Sequence, residues 1–200
     1  MTKRQLQTLS KPLICNIEVA RAFIQEHKTQ TRRLPKSETS DPRYKVGDIL
    51  WIREPVRIID FSPVGNYGGS WNDEDLYTYQ YVADENIRCS EEIPERFGSI
   101  PIWIKRCHGV PNGCIKEMAR MFYTVVDFHY EDLQHISFED IIEEGFQPSC
   151  KRQEDIKDDC YEWWEETWDA TAPYGKKWED NPLVEVYKLK KVSYRKVEEV

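Results

Sequence analysis

The first stretch with a clear period is NIEVARAFI, where Ile17, Val19, Ala20, Ala22, Phe23 and Ile24 recur at helical spacing. Asn16 is placed as the N-cap and Glu18 falls in the first turn, where the helix dipole favours an acid, so the pattern predicts a helix over 17–27. Pro35 and the polar cluster KSETSDPR mark a loop, which leaves KTQTRR at the helix exit or on a short extended piece. In YKVGDILWIREPVRII, Gly47-Asp48 signals a turn, and Ile49 to Ile52 with Val56, Ile58 and Ile59 read as strands divided by Pro55. SPVGNYGGSWNDED, residues 62–75, reads as a loop, and LYTYQYVAD as a strand with alternate tyrosines. Residues 86–100 are polar and irregular, and Pro and Gly punctuate the short apolar run IPIWIKRCHGVPNGC. IKEMARM reads as a short helix and MFYTVVDFHYEDL as a strong strand. Ser137 opens SFEDIIEEGF, with Asp140 completing an approximate capping box and Gly145 as C-cap. Residues 147–160 are polar, YEWWEETWDAT reads as an amphipathic helix, and PLVEVYKLKKV as a final strand before a charged tail. Strands separated by short helices and long loops, without regular βαβ alternation, predict an α+β protein or a small barrel with helical insertions.

Composition narrows the class. A length of 200 residues fits one domain, and 40% hydrophobic residues with seven Trp and eleven Tyr indicate a packed globular chain. A net charge of −8 argues against duplex DNA as a partner, since broad binding to duplex needs a basic face. No run of 18 apolar residues predicts a membrane span and the N-terminus lacks the apolar core of a signal peptide, so the expected location is cytoplasmic. Six cysteines are then expected as reduced thiols. Cys107-His108 with Cys114 lacks the second knuckle of a zinc site, so neither a metal nor a cofactor is expected.

The order of EHKTQTRRL, YKVGDILWIRE, LQHISFEDIIEEGF, WWEETWDA and WEDNPLVEVYKL resembles the ASCH-domain proteins often encoded by bacteriophages and their hosts. The resemblance covers about 12–192, with insertions at about 60–100 and 147–160 and a charged tail at 193–200, all in one domain. It implies a PUA-like fold, a small β-barrel flanked by helices with long loop insertions, whose relatives bind RNA or modified bases. Smaller bacterial members, about half this length, include amidohydrolases that deacetylate 4-acetylcytidine. Their motif falls on Lys28, Thr31 and Arg33, with the later Glu on Glu144 and Glu143 adjacent to it.

The chemistry fits those residue types. Thr31 is a hydroxyl nucleophile that needs a neighbouring base. Lys28 serves as that base only where burial and the nearby Arg32 and Arg33 lower its pKa, whereas close pairing with Glu144 opposes the role. Glu144 orients Lys28 or holds a water, and Arg33 suits a cytosine carbonyl or an oxyanion. The plain alternative is a solvated helix exit, where cations stabilise terminal carbonyls. Arg53-Glu54 reads equally as a surface ion pair or as the mouth of the cleft. Trp51, Trp163, Trp164 and Trp168 are expected in the core, while Tyr67 and Trp178, in Gly- and Asn-rich loops, are candidates to stack on a base. The expected function is a hydrolase of an acylated or modified cytidine-like nucleoside or nucleotide; the alternatives are a non-catalytic binder of modified bases or short single-stranded RNA, and a phage accessory protein that binds a host protein. The acidic balance favours a nucleoside or nucleotide over long RNA.

Overall fold

The computed structural model describes residues 1–36, 41–62, 76–92, 114–148 and 153–194. The chain divides into two compact units: residues 1–11, 22–50 and 121–200 form the first, and 12–21 and 51–120 the second. The α+β class expected from the pattern is observed. One sheet has the strand order β1 (Lys11–Ile14), β3 (Ile49–Arg53), β7 (Phe122–Asp132), β8 (Leu183–Lys191), β2 (Gln30–Arg33). Among the described residues no pairing joins β1 to β2, so this sheet is open where a small closed barrel was expected.

The first unit holds the antiparallel trio β2, β8 and β7. Thr31 pairs with Tyr187 and Arg33 with Glu185 across β2 and β8. Phe128 pairs with Tyr187 and Tyr130 with Glu185 across β7 and β8, after a register shift between Val125 and Asp127 that leaves Val126 as a bulge. Helices α3 (Phe138–Glu143) and α4 (Gln153–Asp169) cover one face of this trio. Their core gathers Leu133, Ile136, Ile141, Cys160, Trp164 and Trp168 with Val184 and Val186 of β8. Trp163 packs half-buried on that cluster, so these helix tryptophans are packing residues, as their spacing indicated.

Two helix ends shape the entry to β2. Helix α2 (Ile17–Ile24) starts on Asn16, whose Oδ1 accepts the Val19 N–H at 2.8 Å. It stops three residues short of the predicted 27, because Glu26 adopts a left-handed conformation at φ 61°. The N–H of Glu26 then donates to the Phe23 carbonyl and that of His27 to the Ala22 carbonyl, the pattern of a Schellman termination. Helix α3 begins on Ser137 as expected, its Oγ accepting the Asp140 N–H at 3.1 Å. It ends the same way, on Gly145 at φ 113°.

The second unit contains the three-stranded sheet β4 (Val56–Ser62), β5 (Leu76–Tyr81), β6 (Ile87–Glu92). The irregular stretch expected over 86–100 begins with β6, because pairing with β5 supplies ladder hydrogen bonds that its polar composition does not advertise. The short helix expected at IKEMARM is a single 3-10 turn, Lys116–Met118. Two N-terminal elements were not anticipated: β1 and helix α1 (Lys3–Leu9), the latter capped by Thr2. Among the described residues no helix is long and apolar enough to cross a membrane.

Gly145 is doubly constrained, since a Cβ there would sit 2.8 Å from the Ala22 Cβ in addition to the positive φ. Gly145→Ala is therefore expected to destabilise the chain by roughly 1–3 kcal/mol in a urea titration. A loss under about 0.5 kcal/mol would show that this helix junction yields freely.

Candidate functional site

The segment KTQTRR is not a helix end, and apart from the exposed Thr29 and the half-buried Arg33 its side chains are buried. Its Thr29 N–H donates to the Glu143 carbonyl at 2.9 Å, and the Leu189 N–H donates to the Thr29 carbonyl at 2.7 Å, so the chain enters the sheet already extended. Lys28 is 3% exposed and donates through Nζ to the Glu144 carbonyl at 2.8 Å and to Glu144 Oε2. The lysine thus caps the C-terminus of α3 rather than that of α2, the helix it follows in sequence.

Arg32 reaches the same carboxylate from β2. Its Nη1 lies 3.1 Å from Glu144 Oε1, and its Nε donates to Glu131 Oε1 at 2.7 Å. Nη2 stands 3.3 Å from Asp140 Oδ2 without a sound hydrogen bond, and the guanidinium carbon is 5.9 Å from the Trp164 ring centroid. Gln30 Nε2 donates to Asp140 Oδ1 at 3.0 Å, while its own Oε1 is buried without a partner. Burial pushes the Asp140 carboxyl up, but hydrogen bonds from Gln30 and Ser137 and the Arg32 charge outweigh it and hold the group below its ordinary value.

Successive residues of a strand face opposite sides. Gln30 and Arg32 take the helix-covered face, where Glu144 waits, and Thr31 and Arg33 take the other. Of the three residues expected to act together, Lys28 and Glu144 meet, and Thr31 lies on the other face of β2. Thr31 is 2% exposed, and among the described residues no base is in hydrogen-bond contact with its hydroxyl.

On the Thr31 side, Glu185 is fully buried. It accepts the Tyr187 hydroxyl at 2.7 Å and the Arg43 N–H at 3.3 Å, and among the described residues no cation pairs with it. The Tyr44 N–H donates to the Tyr187 oxygen at 3.2 Å. Burial first, and the Glu185 carboxylate second, raise the Tyr187 hydroxyl well above the ordinary phenol range. Arg43 Nε is buried and has no hydrogen-bond partner among the described residues.

The other predicted contacts fall elsewhere. Glu54, in the second unit, is fully buried and carries a two-pronged bond from Arg120, Nε to Oε1 at 2.8 Å and Nη2 to Oε2 at 2.7 Å. It is neither a surface pair with Arg53 nor a cleft mouth. Arg120 also binds Asp84 at 2.7 Å and lies 3.7 Å over the Tyr81 ring, and burial raises the Glu54 carboxyl against the pull of Arg120. Arg53 is half-buried, its carbonyl accepting the Cys15 N–H. Trp178 is half-buried against the α4 core rather than free to stack, and its backbone N–H donates to Asp169 Oδ1 at 2.8 Å. Tyr67, Cys107 and His108 lie outside the described residues. Cys15, Cys114 and Cys160 are buried thiols outside any disulfide among the described residues. Sequence reasoning did not single out Glu131 or Glu185 and used Arg32 only as a charge near Lys28; the one local signal was Glu185's place between Val184 and Val186, where a polar group must find a partner.

Removing one member of a buried ion pair strands the other. Glu144→Gln is expected to cost roughly 3–5 kcal/mol by chemical denaturation, and Lys28→Met less, because Glu144 keeps Arg32. The reverse ranking would show that Lys28, not Glu144, organises the network. Asp140, with its folded pKa lowered, adds stability that is present above its unfolded value of 3.8 and is lost as pH falls through the folded one. Asp140→Asn should accordingly flatten the acid limb of a melting-temperature profile below about pH 4, and an unchanged limb would remove Asp140 from the network's energetics.

No family model, curated protein or solved structure matches this chain.

Proposed function

We propose that this chain is a non-catalytic binding protein for a modified, cytidine-like nucleoside or nucleotide, built on a PUA-like domain of the ASCH type. The observation that carries the reading is the division of KTQTRR between the two faces of β2. Lys28, Arg32 and Glu144 are engaged with one another inside the fold, so the lysine's donors go to Glu144 and not to the Thr31 hydroxyl. Thr31, without a base, is a weak nucleophile. Arg33, half-buried on the Thr31 face, carries a planar fork of donors suited to a carbonyl edge, and the buried Thr31 hydroxyl beside it contributes only where a ligand displaces what covers it.

One observation favours a second reading, hydrolysis of an acylated cytidine-like nucleoside: Lys28 and Glu144, 116 positions apart, meet in direct contact. In that reading Thr31 Oγ takes the acyl group from the exocyclic nitrogen as an ester, the hydroxyl proton leaves on that nitrogen as the free amine, and water hydrolyses the ester to the carboxylic acid. Lys28, held by Glu144, takes part only where the ligand reaches across the edge of β2.

Incubation of the chain with 4-acetylcytidine, followed by chromatography and by a binding titration, separates the two. The expected result is saturable binding with the nucleoside recovered intact, and a loss of roughly 0.5–1.5 kcal/mol in affinity for Thr31→Ala, the worth of one neutral hydrogen bond. Conversion to cytidine that disappears in Thr31→Ala would overturn the binding reading and establish the hydrolase.

A further inference from the structure

β7 changes neighbours halfway along its length. Val125 bonds to the turn that leads into β3: its N–H donates to the Asp48 carbonyl at 2.9 Å, and its carbonyl accepts the Gly47 N–H at 2.8 Å. Before Gly47 the chain leaves this edge, since the Asp48 N–H closes a turn on the Lys45 carbonyl and Tyr44 packs on Tyr187 of β8. From Asp127 to Asp132, β7 is therefore paired with β8 alone among the described residues. In an antiparallel ladder the N–H and C=O of one residue point the same way, and successive residues alternate. Two backbone bonds set the phase here. The Leu189 N–H donates to the Thr29 carbonyl, which turns Leu189, and with it Tyr187 and Glu185, toward β2. The Leu133 N–H donates to the Pro182 carbonyl at 3.0 Å, which turns Leu133, and with it Glu131 and His129, toward β8. Both place the N–H and C=O of Phe128 and Tyr130 on the outer edge of the strand.

We infer that this half-edge of β7 takes up an extended basic segment of a partner protein as an added antiparallel strand, an interaction that stands apart from the nucleoside reading. Ladder bonds to Phe128 and Tyr130 supply the affinity, and alternate side chains select the segment. On one face lie the half-buried Phe128 and Tyr130, 43% exposed, whose rings meet edge-on at 5.0 Å between centroids. They call for apolar residues directly opposite. The other face carries Asp127, His129 and Glu131. Glu131 is occupied by Arg32, with His129 3.4 Å away. Asp127 is exposed and forms no ion pair among the described residues, because Lys188, across from it on β8, points its Nζ to within 3.9 Å of Glu143. Asp132 has only His135, at 4.0 Å. The uncommitted charge along the edge is thus acidic, which favours lysine or arginine opposite Asp127 and repels acidic strands. A second copy of this chain fits less well, since it would bring the same acids against themselves, in molecules of net charge −8 each.

The test is a calorimetric titration of the full chain with a capped heptapeptide of alternating lysine and valine. Saturable binding is expected, and replacing the lysines by glutamate should weaken it roughly tenfold or more. With the valines opposite Phe128 and Tyr130, their N–H groups are the ones that face β7. N-methylation of the valines should therefore weaken binding roughly tenfold or more, whereas N-methylation of the lysines, whose N–H groups face outward, should change it less than about threefold. Asp127→Lys, at an exposed position, is expected to keep the wild-type melting temperature and to weaken binding roughly fivefold. The backbone assignment has its own check: Tyr130→Pro should spare the β7–β8 ladder and abolish binding, while His129→Pro, which removes a ladder donor, should lower the melting temperature more. No binding by the wild type overturns the inference and leaves the acids as protection of the edge against pairing. Equal binding of the two methylated peptides, or an affinity that Asp127→Lys leaves unchanged, overturns it as well. A dimer in sedimentation that Asp127→Lys alters and the peptide does not displace assigns the edge to a second copy and also overturns it.

Discussion

The Glu144 carboxylate is the interaction on which the first unit turns. It stands at the C-terminus of α3, where the helix dipole disfavours an acid, and it is almost wholly buried. Two cations make that position tenable: Lys28 on one oxygen and Arg32 on the other. Lys28 also caps the Glu144 carbonyl and the Thr29 N–H caps that of Glu143, so terminal carbonyls of α3 find partners in the approach to β2. With Glu131 and Asp140 the network holds two cations and three carboxylates, and each charge is bonded or screened by another. Ion clusters of this kind add little net stability against an apolar replacement, because desolvation offsets the attraction. What the cluster does strongly is penalise alternatives: a one-residue slip of β2 would send Arg32 to the wrong face and leave Glu144 and Lys28 facing apolar side chains.

That register divides one short segment. Once Arg32 is committed inward, Thr31 and Arg33 must face the other way, and the polar side chains of HKTQTRRL are shared between the two faces of β2. The same fixed register brings β8 and β7 into line, so that Arg33, Glu185 and Tyr130 share a row although they come from three distant parts of the chain. The two Schellman ends supply the precision. Gly145 lets α3 stop against Ala22, and the left-handed Glu26 turns the chain sharply enough for Lys28 to arrive two residues later beside it.

The periodic parts of this architecture were legible in the sequence. Asn16, Ser137 and Gly145 announce their caps through side-chain type alone, and the spacing of Trp164 and Trp168 marks the buried stripe of α4. The division of Thr31 from Arg32 was not, because it depends on whether KTQTRR is helical or extended, and local composition does not decide that. The pairing with β8, about 150 residues later, decides it. Tyr130 was hidden for a related reason. A period of two counted from Val125 assigns it to the opposite face, and the bulge at Val126 shifts the count by one and returns Phe128 and Tyr130 to the face of Tyr187. Glu54 misled in the other direction: beside Arg53 it reads as a pair of solvated charges, and the partner that buries it, Arg120, lies 66 positions away.

The contrast between the two buried glutamates bears on what Glu185 is for. Glu54 has a guanidinium bound to both oxygens, as a buried carboxylate ordinarily requires. Glu185, among the described residues, has a phenol and a backbone N–H, although an arginine occupies the position directly across the strand pair. Held by neutral donors, its carboxyl depends on the Tyr187 hydroxyl and the Arg43 N–H staying in place, and the Tyr44 N–H on the Tyr187 oxygen closes the set, so β8 and the segment at residues 43–44 are tied together through two buried side chains.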